Sequence, residues 1–516
     1  EAQERYVMAI KEKNLERFKE ICARERCTYS IVGKASREQK LVVNDSQFNN
    51  KPVDLPMGVL FNNNRRQLLE FDRTERSNHE ADYSKLSVEE SIKRVISLPS
   101  VASKKFLITI GDRSVGGLTV RDQMVGPWQV PVADVAVTSS TFGSKTGEAM
   151  AVGERTPIAI YDSPASVRMA VAEAVTNIVS APIESINKVT LSANWMAATQ
   201  HEGQKEALHD AVSAVSKFCQ DIGVTIPVGK DSLSMKTIWD DTSVTSPVSL
   251  VVTGFAPVND VTNVLTPELK SGDTKLILID LGQGKNRLGG SALSQVYGLT
   301  DSDCPDIDPE QLKNYFEVIQ SLNNDGKILA YHDRSDGGLL ATLTEMMFAG
   351  RRGVNVNLEY QSGDIINKLF SEEIGAVIQV KADQSGDIIA EIKDKVTGNV
   401  FEIGEVTQDQ TIKITDKDFS YSAKRADLEA LWEANSNAIR RLRENPESVD
   451  SEEKVIADDN NSGLPSKVTF DIPKPPTANG NKPKVAILRE QGVNGQVEMA
   501  AAFTHAGFEA HDIHMS

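Results

Sequence analysis

The sequence predicts an α/β architecture in which a two-lobed fold occurs twice, and three observations carry that prediction. The first is size: 516 residues at 40% hydrophobic content exceed what one ordinary core encloses, since domains run to about 100–200 residues. At least three folded pieces are expected. The second is an internal repeat. Ile31 to Asp45 (IVGKASREQKLVVND) aligns without gaps with Glu402 to Asp416 (EIGEVTQDQTIKITD), and in both a glycine leads into a polar turn and an alternating strand that closes on Asp. Tyr6 to Ile10 matches Ala376 to Val380 after a one-residue shift, and a helical stretch of similar length follows each. A repeat this long is a duplicated domain rather than a solenoid unit. The third is the succession of Val- and Ile-rich strands with helical patterns through the second copy.

In chain order, residues 1–72 read as the tail of the second lobe of a first half, and 73–89 as a connector. Residues 90–265 read as the first lobe of a complete second half. Within it, Lys104 to Thr138 suggests strands broken by Gly116-Gly117 and Pro131, followed by a helix from Ala165 to Ile178 with Ser163 as cap and Pro164 in the first turn. Residues 274–435 read as the second lobe, opening on the apolar strand Leu276-Ile277-Leu278-Ile279. Residues 436–482 read as a linker. From Glu444 to Lys482 the sequence is polar and rich in Pro, Asn and Gly, which predicts an extended segment without regular structure for most of its length. Residues 483–516 read as the start of a further α/β domain, cut short. Both ends look like interior sequence, so the chain is expected to be a piece of a longer one.

Charge and cysteine content narrow the function classes. Acidic residues number 73 and basic ones 56, and no Lys/Arg block is long enough to follow a phosphate backbone, so nucleic acid is not an expected partner. The four cysteines, Cys22, Cys27, Cys219 and Cys304, fit neither a disulfide framework nor a zinc site, which suggests a reducing cytoplasm. No apolar run approaches the roughly 20 residues of a membrane span, and the polar start is unlike a signal peptide. A soluble, cytoplasmic, non-membrane protein is expected.

Four segments could place oxygen ligands or cations around a nucleotide phosphate and a hard metal. In Arg121 to Asp134 a charged turn feeds a strand, near whose end Asp134 can point into a cleft. Glu173 and Asn177, four apart on the predicted helix, project from one face; magnesium favours such oxygen donors, and a solvated polar pair is the alternative. In Lys327 to Leu339 a strand ends in the turn His332-Asp333-Arg334-Ser335-Asp336-Gly337-Gly338, which opens a helix from Leu339 to Phe348. Free N–H groups at that helix start would favour an anion, with Asp333 on a cation and Ser335 on a phosphate oxygen; the alternative makes them turn and cap residues. Lys104, between Ser103 and an apolar stretch read as a strand, is a candidate phosphate cation, or else a solvated surface lysine. Other motifs fail. Gly229-Lys230-Asp231 lacks the Ser or Thr of a P-loop, Gly282-Gln283-Gly284 lacks the third glycine of a dinucleotide fingerprint, and no covalent nucleophile is apparent.

The strings RDQMVGPWQVPVADVAVT, GEAMAVGERTP, EAVTNI, LSANWMA, IPVGKDSLSMKT, HDRSDGGL and REQGVNGQVEMA, in this order, resemble the large form of formylglycinamide ribonucleotide amidotransferase (phosphoribosylformylglycinamidine synthase) along essentially the whole chain. The resemblance implies two duplicated halves of the aminoimidazole ribonucleotide synthetase fold followed by a class I glutaminase, here the second half plus a glutaminase start. It implies a ligase of purine biosynthesis that converts formylglycinamide ribonucleotide, ATP and glutamine into the amidine. It also implies an auxiliary nucleotide site with Asp134, Glu173, Asn177 and Asp333 as Mg2+ ligands, and Ala133, Ser335 and, more loosely, Lys104 on ATP or ADP. No cysteine follows Cys304, so the family's glutaminase nucleophile is not in this chain and the chain alone is expected to be inactive. Two other classes are weighed: a non-catalytic nucleotide-binding scaffold, and a free-standing ATP-dependent phosphotransferase of the same fold.

Overall fold

The computed structural model describes all residues except 1–4, 62–67, 69, 74–76, 112, 114, 465, 472–480, 491 and 516. Phe71–Thr469 form one compact unit; Glu1–Glu70 with Phe470–Ser516 form another.

The larger unit contains two main sheets. The first has strands β1 (Thr119–Arg121), β2 (Ala136–Ser139), β3 (Gly147–Glu154), β4 (Thr190–Met196), β5 (Thr225–Ser232) and β6 (Ser249–Val258), in the spatial order β1-β2-β3-β6-β4-β5. All neighbours are antiparallel except β4 and β5. Helix α1 (Ser163–Ile178) lies on β3 and β6, with α2 (Gln204–Ile222) packed beside it. Along β3 the burial alternates, with Ala149 and Ala151 facing the core and Val152 outward. Gly153 sets the helix-to-sheet spacing: a Cβ there would stand 2.1 Å from the Ala170 carbonyl oxygen of α1. Burial on nearly every side of α1 explains its run of Ala, Val and Met rather than a narrow apolar stripe. Its cap is Asp162, which accepts from Ala165 N–H at 2.9 Å, and not Ser163, which is the first helical residue and donates to Ala207 O at 3.0 Å.

The second sheet has β7 (Thr274–Asp280), β8 (Ala330–Asp333), β9 (Gly353–Asn357), β10 (Gly375–Lys381), β11 (Asn399–Thr407), β12 (Thr411–Asp416) and β13 (Phe419–Lys424), in the order β8-β10-β7-β11-β9-β12-β13. Only β9 and β12 pair in parallel. β7 and β10 are buried almost throughout, because helices α3 (Pro309–Asn324), α4 (Gly338–Gly350) and α5 (Ser385–Lys395) cover the sheet.

Two expectations for this unit are corrected. The stretch after Lys104 is not a strand: Lys105–Ile108 is a single helical turn, held where Phe106 N–H donates to Ser436 Oγ at 2.9 Å. Residues 436–482 are not a linker throughout. α6 (Arg425–Arg443) runs into them, and α7 (Pro446–Ala457) follows, capped by Asn445 with Pro446 in its first turn. α7 packs on α6 through fully buried Val449 and the Arg440–Glu452 and Arg441–Glu453 ion pairs, while Arg351 donates to the Val455 and Asp458 carbonyls. No helix or strand occurs between 458 and 471 among the described residues, and 472–480 lie outside them.

In the smaller unit, helix Leu15–Arg24 precedes a hairpin of Lys40–Asp45 and Asn50–Pro56, and Lys484–Arg489 pairs in parallel with Glu509–His514 across helix Gln496–His505. The repeat is visible here. Lys40–Asp45 aligns residue for residue with β12, and Leu15–Arg24 with all but the first residue of α5. Tyr6 to Ile10 forms no strand, unlike the Ala376–Val380 stretch that it matches in sequence, and Tyr6 and Val7 are exposed.

Candidate functional site

Two chain crossings bring the acidic residues together. Asp134 ends the segment that leads into β2, with Ala133 N–H held by Gln123 O at 3.1 Å. Asp333 ends β8, whose direction is set by Arg334: its Nε donates to Glu373 O at 2.7 Å, and its guanidinium pairs with Asp280. One side-chain donor atom from each of Asp134, His332 and Asp333 falls within 4.8 Å of the others. Asp134 Oδ2 and Asp333 Oδ2 are both buried without a hydrogen-bond partner. Buried carboxylate oxygens are ordinarily paired or bound to a cation. Asp333 is pushed up to about 8, by burial first and by the Asp134 charge second. Burial also raises Asp134, against the pull of His332. Two carboxylates this close, each with one oxygen lacking a partner, are what a hard divalent cation needs, so these residues fit a magnesium ion.

Glu173 and Asn177 face β3 one turn apart. Glu173 Oε2 accepts from Glu154 N–H at 2.6 Å, and Asn177 Nδ2 donates to Val152 O at 3.0 Å. Glu173 is not a member of the compact group of Asp134, His332 and Asp333. Its carboxyl is raised well above the usual range by burial, opposed by Arg155 and reinforced by the Asp336 and Asp333 charges, so it belongs to the same electrostatic neighbourhood. Lys104 Nζ is tied to the carbonyls of Ser100 and Ala102 at 2.9 and 2.5 Å; burial lowers its pKa, against the charges of Glu345 and Asp336.

The turn after Asp333 is tightly built. Gly337 and Gly338 take positive φ values of 84° and 68°, and a Cβ on Gly338 would stand 2.7 Å from Ser371 O, so the glycines allow close backbone packing as α4 starts. Two of the N–H groups at this start are engaged within the fold. Gly338 N–H donates to Ser335 O at 3.0 Å and Gly337 N–H to Glu372 Oε1 at 2.8 Å. Glu372 Oε1 also accepts from Ala292 N–H at 2.9 Å, and its Oε2 meets Arg155 at 2.6 Å. Arg155 reaches Asp336 as well, at 2.9 Å, joining the two sheets' lobes through a buried guanidinium. Glu372 is pushed up to about 7 by burial, with Arg155 opposing.

Sequence reasoning missed His332, Glu345, Arg155 and Glu372. The signal available was charge density: HDRSD and SEE stand between apolar stretches, and a charged residue folded into a core must find a partner. A cavity of about 780 Å3 lies apart from this group, lined among others by Arg168, Lys217, Phe218, Lys285, Arg287 and Asp306. Its arginines are already matched, Arg168 by Asp306 and Arg287 by Glu373. The unpartnered oxygens therefore mark the stronger candidate.

Comparison with known proteins agrees with the fold. Residues 103–257 match the FGAR-AT PurM_N-like domain, residues 271–417 the C-terminal domain of AIR synthase related proteins, and residues 482–516 a CobB/CobQ-like glutamine amidotransferase domain. The structure of "T. maritima PurL complexed with FGAR" resembles the chain with a TM-score of 0.52 at 12% identity, over 66% of this chain and 53% of that one. That of PurLQS from Thermotoga maritima does so with a TM-score of 0.49 at 14% identity, over 66% and 52%. At such identities the first likeness is one of fold. The chain spans about half the length of these solved chains. Its larger unit is a two-lobed α/β fold of the AIR synthase related class, joined in sequence to a glutamine amidotransferase segment. In domain content and order the chain is similar to the formylglycinamide ribonucleotide amidotransferases. No described helix is long and apolar enough to cross a membrane.

Proposed function

We propose that the chain carries an auxiliary nucleotide site of the ATP- and glutamine-dependent C–N ligase that converts formylglycinamide ribonucleotide to formylglycinamidine ribonucleotide in purine biosynthesis. The observation that supports this reading most is the pair of unpartnered buried oxygens, Asp134 Oδ2 and Asp333 Oδ2. Asp134 and Asp333 would hold Mg2+, with Glu173 and Asn177 completing the donor set, and Ala133, Ser335 and Lys104 would meet ATP or ADP. Magnesium, when bound, neutralises phosphate charge. Arg155 and Glu372 fix the lobes around the site, and burial excludes water.

Turnover by this chain alone is not expected. Phosphoryl transfer depends on complete positioning and electrostatics, and amide hydrolysis of glutamine needs a nucleophile that no cysteine beyond Cys304 supplies. Titration calorimetry with ADP should give saturable binding that needs Mg2+ and is lost in EDTA, while formylglycinamide ribonucleotide, ATP, Mg2+ and ammonium should release no ADP above background. Absence of Mg2+-dependent ADP binding overturns the site. Substrate-dependent ADP release overturns its auxiliary role.

A further inference from the structure

Behind the Asp134–Asp333 pair, a line of side chains runs away from the cluster. His332 Nδ1 lies 2.6 Å from Asp134 Oδ1, and His332 Nε2 lies 2.7 Å from Glu345 Oε2. The second oxygen of that carboxylate, Glu345 Oε1, accepts from the Trp432 indole N–H at 3.2 Å, and the same N–H faces Val101 O at 3.0 Å. Four separate pieces of chain meet here: the segment before β2, the end of β8, the middle of α4, and α6. His332 and Trp432 are buried, and the Glu345 side chain is 18% exposed.

This arrangement assigns His332 a role other than the one its place in the cluster suggests. An imidazole whose two nitrogens each lie at hydrogen-bond distance from a carboxylate oxygen has both nitrogens engaged, so neither is free to face a cation. His332 is therefore not a ligand, although its ring nitrogen lies within 4.8 Å of the Asp134 and Asp333 donors. Its effect falls on Asp134. A carboxylate bound through one oxygen by a fixed ring keeps one rotamer, and here the other oxygen, Oδ2, is the unpartnered one. Glu345 fixes the ring in turn, and Trp432 fixes Glu345.

We propose that His332, backed by Glu345 and Trp432, is the positioning residue of the cation site, holding Asp134 so that Oδ2 stays available beside Asp333. The proposal rests on the cation reading given above. Without His332, Asp134 could turn Oδ2 toward other donors. The variants separate positioning from packing. Glu345→Gln keeps an oxygen that can accept from His332 Nε2, whereas Glu345→Ala removes the acceptor and leaves the ring free to turn.

The test titrates the chain with Mn2+ alone, follows free Mn2+ by electron paramagnetic resonance, and records the metal-free thermal midpoint of each variant. His332→Gln should weaken Mn2+ binding about 10- to 100-fold, the usual effect of losing a partner that orients a metal ligand. Glu345→Ala should lose about 10-fold, and Glu345→Gln should recover to within about 3-fold of the unmodified chain. These losses should not follow the thermal midpoints. A His332→Gln chain that binds Mn2+ within a factor of about 2 of the unmodified one overturns the proposal and leaves the cation site standing. If His332→Gln does not fold, the Glu345 pair decides, and equal losses from Gln and Ala overturn the proposal. An unmodified chain that binds no Mn2+ overturns the cation reading, and this proposal with it.

Discussion

Replacing Arg155 by Met should loosen the join between the two lobes, and the size of the loss can be worked from its partners. The Arg155 side chain is 3% exposed and pairs with Glu372 Oε2 at 2.6 Å and Asp336 Oδ1 at 2.9 Å. Removing one member of a buried pair costs about 3–5 kcal/mol, because a charge stays behind in a dry site. Glu372 limits that cost: burial already lifts it to about 7 beside the guanidinium, so without Arg155 it takes a proton near neutral pH instead of remaining an isolated anion. The lower end, about 3 kcal/mol, is therefore expected. With unfolding entropy near 2.1 cal/mol/K per residue, a unit of roughly 400 residues loses about 4 °C. Thermal unfolding of Arg155→Met, Glu372→Gln and the double variant at pH 7 checks this. The double variant should recover at least half of the Arg155→Met loss, since a neutral amide needs no counter-ion and still accepts from Gly337 and Ala292 N–H. A shift below 1 °C in Arg155→Met, or single losses that simply add in the double variant, would refute the reasoning.

Three further outcomes follow from the same geometry. Asp333→Asn should weaken retention of MgADP about 10-fold or more, while Glu154→Gln should change it less, as equilibrium dialysis would show; equal effects count against the cation pair. Gly153→Ala puts a Cβ 2.1 Å from Ala170 O and 2.5 Å from Ala174 N, so α1 must move off β3; a loss of about 1–3 kcal/mol in denaturant unfolding is expected, with Glu173 shifted from Glu154 N–H. Glu433 is buried with one unpartnered oxygen and is pushed up to about 7 by burial, against Lys105 and Arg440 and with Glu429 reinforcing the rise, while Ser103 donates to it. Its folded pKa thus lies above the ordinary 4.5, so the folded state holds a proton the unfolded chain gives up. The stability tied to this group is complete below about 4.5 and falls as pH rises toward about 7. The fall is at most about 3 kcal/mol, and Glu433→Gln should flatten the difference in thermal midpoint between pH 4.5 and pH 8.

Much of the fold could be read from local pattern, because strands and helices with strong periodicity announce themselves. The Ala165 to Ile178 helix and the Leu276 to Ile279 strand both appear within the elements the structure forms. Tyr6 to Ile10 matches a strand of the second copy in sequence but forms none, because it has no strand partner. α7 was hidden for the opposite reason. Its polar sequence has no stripe to detect, and its helix depends on the Asn445 cap and on ion pairs with α6 that only tertiary structure supplies. In the site, Asp134 and Asp333 could be named from their residue type within motifs that resemble the family, whereas what His332, Glu345, Arg155 and Glu372 do depends on buried pairings made only in the folded chain. Spacing along the sequence does not encode such pairings. The Asp162 cap, one residue ahead of Ser163, shows the same limit on a smaller scale.

The central claim is that a divalent cation sits between Asp134 and Asp333, and a crystal grown with Mn2+ and ADP tests it most directly. Anomalous diffraction from manganese should give a peak within about 2.5 Å of Asp134 Oδ2 and Asp333 Oδ2, the range of oxygen coordination to a hard cation, with the ADP phosphates beside it. A peak and nucleotide found instead in the cavity between Arg168 and Arg287, with Oδ2 of both aspartates still unpartnered, would contradict the account.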